Sequence, residues 1–215
     1  MGLVSNDAGT RRRRLGVEDR RRELLQVGAE VFASQPFDEV WVNDVAQRAA
    51  VSPALLYHYF GSKRGFLLAV VRHEAGNLLA VTAPRPDLPP ERALQVIFDA
   101  YLDHLEAHPH GYRALYRGAA GADTEIRAIL EANHLEQQRR ILSWLTQGKP
   151  ATEQLRLVVR GWFAGIVAMC LDWLDRPVLD RVQLRDLCIG MLASAATAAG
   201  YQVEHREAGP ADYAP

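Results

Sequence analysis

Apolar residues recur at helical spacing along almost the whole chain. Leu24, Gly28, Val31 and Phe32 fall at i, i+4, i+7 and i+8 of a segment from Val17 to Ser34, which is one helical face. Pro36 ends it, because a proline disfavours helix at the residue before it. Val45, Ala46 and Ala49 give the inner face of a short helix from Val42 to Ala50. Ser52 followed by Pro53 reads as an N-cap and first helical position, opening a second short helix to about Tyr59. Gly61 interrupts the chain, and Ser62 caps the next helix, which runs to about Val81.

Four prolines between Thr82 and Pro90 mark the clearest linker. Helical patterns follow over 91–107, around 111–117, and over 123–147, 152–175 and 180–199. Strict two-residue alternation is absent, and no Asn-Gly or Asp-Gly pair signals a hairpin. The pattern predicts an all-α fold.

The two short helices meet the demands of a helix-turn-helix. Ala46 is small where the helices must cross, and Val51 plugs the space behind the turn. Leu56 and Phe60 point inward. Ala54, Leu55, Tyr57, His58 and Tyr59 are left for a DNA groove and its phosphates, and the N–H groups after Ser52 form a helix N-terminus that suits a phosphate.

Charge sharpens this reading. The 215 residues carry 25 Lys+Arg and 26 Asp+Glu, net −1, which excludes a uniformly basic nucleic-acid coat. Residues 1–64, however, carry ten basic and eight acidic residues, and seven arginines lie within positions 11–22. The run reads either as a solvated tail or as an arm that follows a phosphate backbone, a job that suits arginine because each guanidinium stays charged and can bind phosphate bidentately. With 48% hydrophobic and 24% charged residues the composition is that of a globular chain.

The stretch Asp44-Val-Ala-Gln-Arg-Ala-Ala-Val-Ser-Pro-Ala-Leu-Leu-Tyr-His-Tyr-Phe-Gly-Ser-Lys63 resembles the DNA-binding signature of TetR-type transcriptional regulators. Phe32 and Phe66-Leu67 also fall where that family places apolar residues. The resemblance is dense over residues 20–70 and beyond residue 80 extends to the layout alone, with Arg160-Gly-Trp162 and Asp172-Trp-Leu174 similar to the penultimate helix of many members. It implies an N-terminal three-helix helix-turn-helix domain plus a C-terminal helical bundle for dimerisation and ligand binding. The expected divisions are a disordered Arg-rich arm (1–16), the DNA-binding domain (17–66), the ligand-binding and dimerisation domain (67–204) and a flexible tail (205–215).

By the same resemblance Ser52 caps the recognition helix and touches phosphate. Pro53, Ala54 and Leu55 face base edges, Tyr57 and Tyr59 contact phosphates or bases, His58 lies near the groove, and Lys63 holds a phosphate. The chain departs from the family pattern at four places. Trp41 stands where a capping Thr is common, so Asn43 is the candidate for part of that role. Pro36 and Ala50 replace frequent glycines. Leu55 replaces a frequent Thr, which predicts a thymine-methyl contact there.

Apolar stripes in the C-terminal half read either as the protomer's own core, which some of them must serve, or as the two-fold four-helix interface that the resemblance implies; a homodimer is expected. Leu155, Val159 and Trp162 on one helix, and Leu184, Leu187, Met191 and Ala195 on the last, would expose too much apolar surface in a monomer. The resemblance also implies an effector pocket, with Phe98, Tyr101, Leu102, Leu105, Tyr112, Tyr116, Leu130, His134, Phe163, Ile166 and Trp173 as candidates; plain core is the alternative for each. Surplus aromatics suggest an apolar or aromatic effector.

Several chemistries are set aside. His104 and His108 are spaced i, i+4, with His110, Asp103 and Glu106 nearby. Pro109 ends that helix and no second ligand pair is near in sequence, so no metal is expected. Cys170 and Cys188 read as small core residues. No nucleophile elbow or Gly-rich phosphate loop is present, so neither an enzyme nor a cofactor is expected. Phe163 to Leu171 stops at Asp172, short of a membrane span, and the N-terminus lacks a secretory h-region, so a cytoplasmic protein without membrane contact is expected. The whole describes a regulator, expected to be a repressor, that binds a double-stranded DNA operator and is released by a small molecule. The rival readings are a helical ligand-binding or scaffold protein with a degenerate head, and an enzyme on a helical bundle.

Overall fold

The computed structural model describes residues 16–34, 39–117 and 123–201. Among them are nine α-helices and no strand: α1 (Val17–Ser34), α2 (Val42–Arg48), α3 (Pro53–Phe60), α4 (Lys63–Val81), α5 (Pro90–Ala107), α6 (Pro109–Tyr116), α7 (Thr124–Leu145), α8 (Glu153–Asp175) and α9 (Arg181–Ala198). Each matches an expected segment within about two residues. The arginine arm at 11–14, Pro36 and the tail from 205 lie outside the described residues.

The helix starts follow from local chemistry. Ser52, Ser62, Asp123, Thr152 and Asp180 each accept a backbone N–H at the start of α3, α4, α7, α8 and α9. Asp180 and Gln183 complete a reciprocal capping box. α5 and α6 open on Pro90 and Pro109, whose fixed φ suits a first turn. At the start of α2 the side chain of Trp41 makes no capping bond. Asn43 is the second residue of that helix and makes no such bond either, so the substitute cap expected there does not form.

Leu24, Val31, Val45, Leu56 and Phe66 form the centre of the head's core, with Val51, Tyr59 and Phe60 packed against it. Ala50 closes the turn between α2 and α3 at φ 50, a left-handed conformation that costs an alanine more than a glycine. Two close approaches demand glycine. A Cβ on Gly28 would lie 2.5 Å from Phe66 Cζ, where α1 crosses α4, and a Cβ on Gly65 would lie 2.2 Å from the Phe60 carbonyl oxygen.

The expected domain division between 66 and 67 falls inside α4, which is continuous. Leu67 to Val71 of α4 and Ile126 of α7 all belong to the head's core. α4 packs on α1 and α3 in the head and on α5 and α7 beyond it, while α6 packs on α1. The remaining core is shared by α5, α6, α8 and α9, with a smaller cluster around Leu155, Val159, Leu192 and Ala196.

α8 is long and apolar enough to cross a membrane by length and composition, with a mean hydropathy of 1.6 over its best window. Leu155, Val159, Phe163, Ile166, Cys170, Leu171 and Trp173 instead bury one face of it within the protein.

Candidate DNA-reading face and effector cleft

α3 is built to present a surface. Its N-cap Ser52 accepts the Leu55 N–H at 3.2 Å, and Pro53 occupies the first turn. Leu56 is buried, so the opposite side is exposed: Ser52, Pro53, Ala54, Tyr57 and His58. Ala54, Tyr57 and His58 share one face at i, i+3 and i+4. Leu55 is half-buried, and Tyr59 packs against the head's core with its ring edge-on to His58. Asn43 is exposed at the start of α2. Lys63 opens α4 with its Nζ 5.8 Å from the centre of the exposed Trp41 ring, a pairing that joins the starts of α2 and α4.

The described part of the arginine run is engaged within the head. Arg20 pairs with Glu23, and Arg22 with Asp19 at 3.2 Å. Arg21 lies over the Phe60 ring, 5.4 Å from its centre. Arg64 binds Asp123 through two nitrogens, at 3.0 and 3.2 Å, and Glu125 at 3.2 Å, tying the start of α4 to the start of α7.

The C-terminal half opens into a cleft of about 600 Å³ between the proline linker, α5, α7 and α8. Of the expected pocket residues, Phe98, Tyr101, Phe163 and Ile166 line it. Leu105, Tyr112, Tyr116 and Leu130 line a separate cavity of about 90 Å³ at the junction with the head. His134 lines neither. It stacks on Tyr116 and shares a hydrogen bond with that phenol, Nε2 to hydroxyl oxygen at 2.5 Å, and burial holds its imidazole below the ordinary pKa while pushing the phenol's up. Trp173 is core, donating its Nε1–H to the Leu179 carbonyl, and Leu102 is fully buried.

The expected dimer residues divide in the same way. Leu155, Val159 and Leu184 are consumed by the protomer's own core. Trp162 faces the cleft and donates to the Cys188 carbonyl at 2.8 Å. Ala195 is half-buried, whereas Leu187 and Met191 are exposed. Around them the outer surface is small or apolar: Leu157, Gly161, Ala164 and Ala168 on α8, and Gly190 and Ser194 on α9.

Sequence reasoning missed the rim of the cleft. Arg85, Arg139 and Arg140 belong to its lining, with Gln137, Ile141 and Trp144; Arg85 pairs with Asp87, and Arg139 and Arg140 both pair with Glu136. The signal was present on α7, where Gln137, Ile141 and Trp144 fall at i, i+4 and i+7 and face one side. Burial pushes the Cys170 thiol up to about 12 and the Cys188 thiol up to about 11, so both are inert, as small core residues should be. His104 and His108, for which no second ligand pair is near in sequence, meet Glu74 of α4 in the lining of the small cavity.

A family model described as bacterial regulatory proteins of the tetR family matches residues 24–70, and one described as the tetracyclin repressor-like C-terminal domain matches residues 90–194. The chain belongs to the TetR family of transcriptional regulators. The HTH-type transcriptional activator FasR of Mycolicibacterium smegmatis is 30% identical over 178 residues, 80% of this chain and 81% of that one. A tetR-family regulator from Streptomyces coelicolor has a similar structure, with a TM-score of 0.79 at 27% identity, covering 86% of this chain and 84% of that one. FadR from Bacillus subtilis, solved in complex with stearoyl-CoA, shares the fold at a TM-score of 0.63 and 16% identity, covering 81% of this chain and 98% of that one. As a TetR-family regulator the chain binds DNA through its helix-turn-helix and acts on transcription.

Proposed function

We propose that the chain is a homodimeric, ligand-responsive regulator whose cleft takes an elongated amphiphile, with its apolar body inside and an anionic end at the arginine rim. The observation that carries this is the cleft itself. Phe98, Trp144, Trp162, Phe163 and Ile166 line an apolar interior, while Arg85, Arg139 and Arg140 stand at its rim. Arg85 is paired with Asp87, and Arg139 and Arg140 share Glu136, so a carboxylate or phosphate end would bind there by exchanging with those carboxylates, which a merely aromatic effector has no means to do. FadR, with stearoyl-CoA, supplies an example of such a ligand on this fold.

A route from cleft to head follows from hydrogen bonds. Gln137, in the cleft lining, donates to Asn133 Oδ1 at 2.5 Å. Asn133 donates to the Ala75 carbonyl of α4 at 2.7 Å, and Arg140 to the Leu79 carbonyl at 2.6 Å. A ligand that displaces α7 therefore acts on the helix carrying Lys63. It switches DNA binding only in so far as it binds the two arrangements unequally.

In this reading Ser52, Pro53, Ala54, Leu55, Tyr57, His58 and Lys63 meet DNA, with Asn43 and Tyr59 at the margins. Leu187 and Met191, with the small residues around them, form the two-fold interface. Two heads then place half-sites about one helical turn or a multiple apart. Repression follows if the operator overlaps the promoter and activation if it lies upstream; FasR is an activator by name. Catalysis plays no part, and the protein acts in the cytoplasm, where its DNA lies.

The test is paired. Acyl-CoA thioesters and free fatty acids are screened by thermal shift, and hits are added to a gel shift on the chain's own upstream DNA. A long-chain amphiphile should raise the melting temperature and release the DNA, and Arg139→Ala with Arg140→Ala should weaken it selectively for anionic ligands. Stabilisation by neutral aromatics alone would overturn the ligand class, and absence of any salt-dependent shift would overturn operator binding.

A further inference from the structure

His104 lies in the last turn of α5, and His108 is the residue at which α5 passes into α6. Glu74 approaches both from α4. Its Oε2 is 3.9 Å from His104 Nε2 and 3.5 Å from His108 Nε2, and the three groups' ligand atoms all lie within 4.8 Å of one another.

The polarity of these atoms does not balance. His108 Nδ1 is 2.9 Å from the His104 carbonyl oxygen, which can only accept, so Nδ1 carries the proton. A neutral imidazole then turns the lone pair of Nε2 towards Glu74. Glu74 Oε1 is held by the Asn77 amide at 2.9 Å, but Oε2 is buried and receives no hydrogen bond. With the His108 ring neutral, lone pairs converge from a carboxylate and an imidazole with nothing positive between them; a proton on Nε2 is the competing way to satisfy Oε2, and uptake of a metal ion distinguishes the two. A buried, unsatisfied carboxylate oxygen is costly enough that native proteins seldom leave one without a role.

A cation resolves the imbalance. Two imidazoles and one carboxylate suit zinc and its first-row neighbours, whereas magnesium and calcium prefer all-oxygen sets. Bonds of about 2.0–2.2 Å in tetrahedral geometry set ligand atoms roughly 3.3–3.6 Å apart, so the two Glu74 separations fit within a few tenths of an ångström, while the two imidazole nitrogens, within 4.8 Å of each other, close by up to about 1.5 Å through side-chain rotation. The supporting shell is present too: the His104 carbonyl fixes the His108 tautomer, and Asn77 orients the carboxylate. The adjoining cavity of about 90 Å³ has room for a water as the fourth ligand.

We propose that Glu74, His104 and His108 bind one divalent cation of the zinc class, joining α4 to the corner between α5 and α6. α4 is the helix that begins at Lys63 and runs out of the head, so the cation fixes the head's carrier against the effector-binding half. The site is separate from the cleft and makes no use of its ligand.

The full-length protein, stripped with a chelator, is titrated with cobalt(II) and then zinc(II), followed by visible absorption and calorimetry. One cobalt per protomer should bind with the visible d–d bands of a low-coordinate, nitrogen-containing site, and one equivalent of zinc should bleach them. Glu74→Gln and His104→Asn should each abolish the bands, and Asn77→Ala should weaken the affinity by about 10–100-fold. His73→Asn and His110→Asn, at neighbouring histidines outside the cluster, should leave binding unchanged. Failure of the wild-type chain to take up one equivalent would overturn the site without requiring any variant to fold. So would uptake that survives Glu74→Gln and His104→Asn, or that is lost with His73 or His110.

Discussion

Asn133 accepts from the Gln137 amide at 2.5 Å and donates its own amide to the Ala75 carbonyl at 2.7 Å. One side chain thus joins the lining of the cleft to the backbone of the helix that leaves the head. Both residues are buried, so neither bond is exchanged readily for water.

Asn133→Ala should separate ligand binding from its consequence. Removing the relay leaves a buried Gln137 amide without its acceptor, for an expected loss of about 1–3 kcal/mol in stability. Ligand affinity should change little, while the ligand's power to release DNA falls. Calorimetry for the ligand and fluorescence anisotropy for labelled DNA, with and without ligand, give the coupling directly. Unchanged coupling would show that the two sites communicate by another path.

Lys63→Ala should weaken DNA binding almost equally across sequences and lower the slope of log affinity against log salt by about one. Tyr57→Ala, on the exposed face of α3, should weaken DNA as well while leaving the melting temperature within a few degrees. An unchanged operator affinity in both variants would move the reading face elsewhere.

Gly65→Ala should damage the head selectively. The added methyl would sit 2.2 Å from the Phe60 carbonyl, backbone against side chain, with no flexible neighbour to give way. Overpacking of this kind costs about 1–3 kcal/mol. Chemical denaturation should register it, and hydrogen exchange should place the loosened amides in α3 and the first turn of α4.

His134 sets a pH dependence whose sign is determined by burial. Its imidazole resists a proton that the unfolded chain accepts with a pKa near 6.5. Its contribution to stability is therefore complete above about pH 6.5 and is lost as pH falls below that. Burial, with the neighbouring His108, also lowers His104, to about 4, so His104 adds loss in the same direction. His134→Gln should flatten, without abolishing, the decline in melting temperature between pH 6.5 and 5.

Much of the fold was legible because its boundaries are chemical. Ser52-Pro53, Gly61-Ser62 and the proline linker are local signals, and α3, α4 and α5 each begin on one. The cleft was half legible. Phe98, Tyr101, Phe163 and Ile166 were named as candidates, yet nothing in their spacing separated them from Leu105 or Trp173, which are equally apolar and equally periodic. The stripes of α8 and α9 carried the same ambiguity. Periodicity tells that Leu155, Val159 and Leu184 must be covered, and does not tell whether by this chain or by a second copy; here this chain covers them, and Leu187 and Met191 remain outside. Glu74 was unreadable, since its meeting with His104 joins residues thirty positions apart.

Ile126 lies in the first turn of α7, fully buried in the head's core beside Leu67 to Val71. A chimera that joins this head to another body at residue 66 would thus leave a hole where Ile126 sits and divide α4 as well. Recombining regulators of this kind calls for a seam that follows packing: the donor head has to bring α4 whole, and the recipient has to supply an isoleucine-sized residue at the start of its seventh helix. Reading heads of this architecture are interchangeable parts only when the body residues that seal them, Ile126 with Leu115, Ile129 and Leu130 around it, are matched as well.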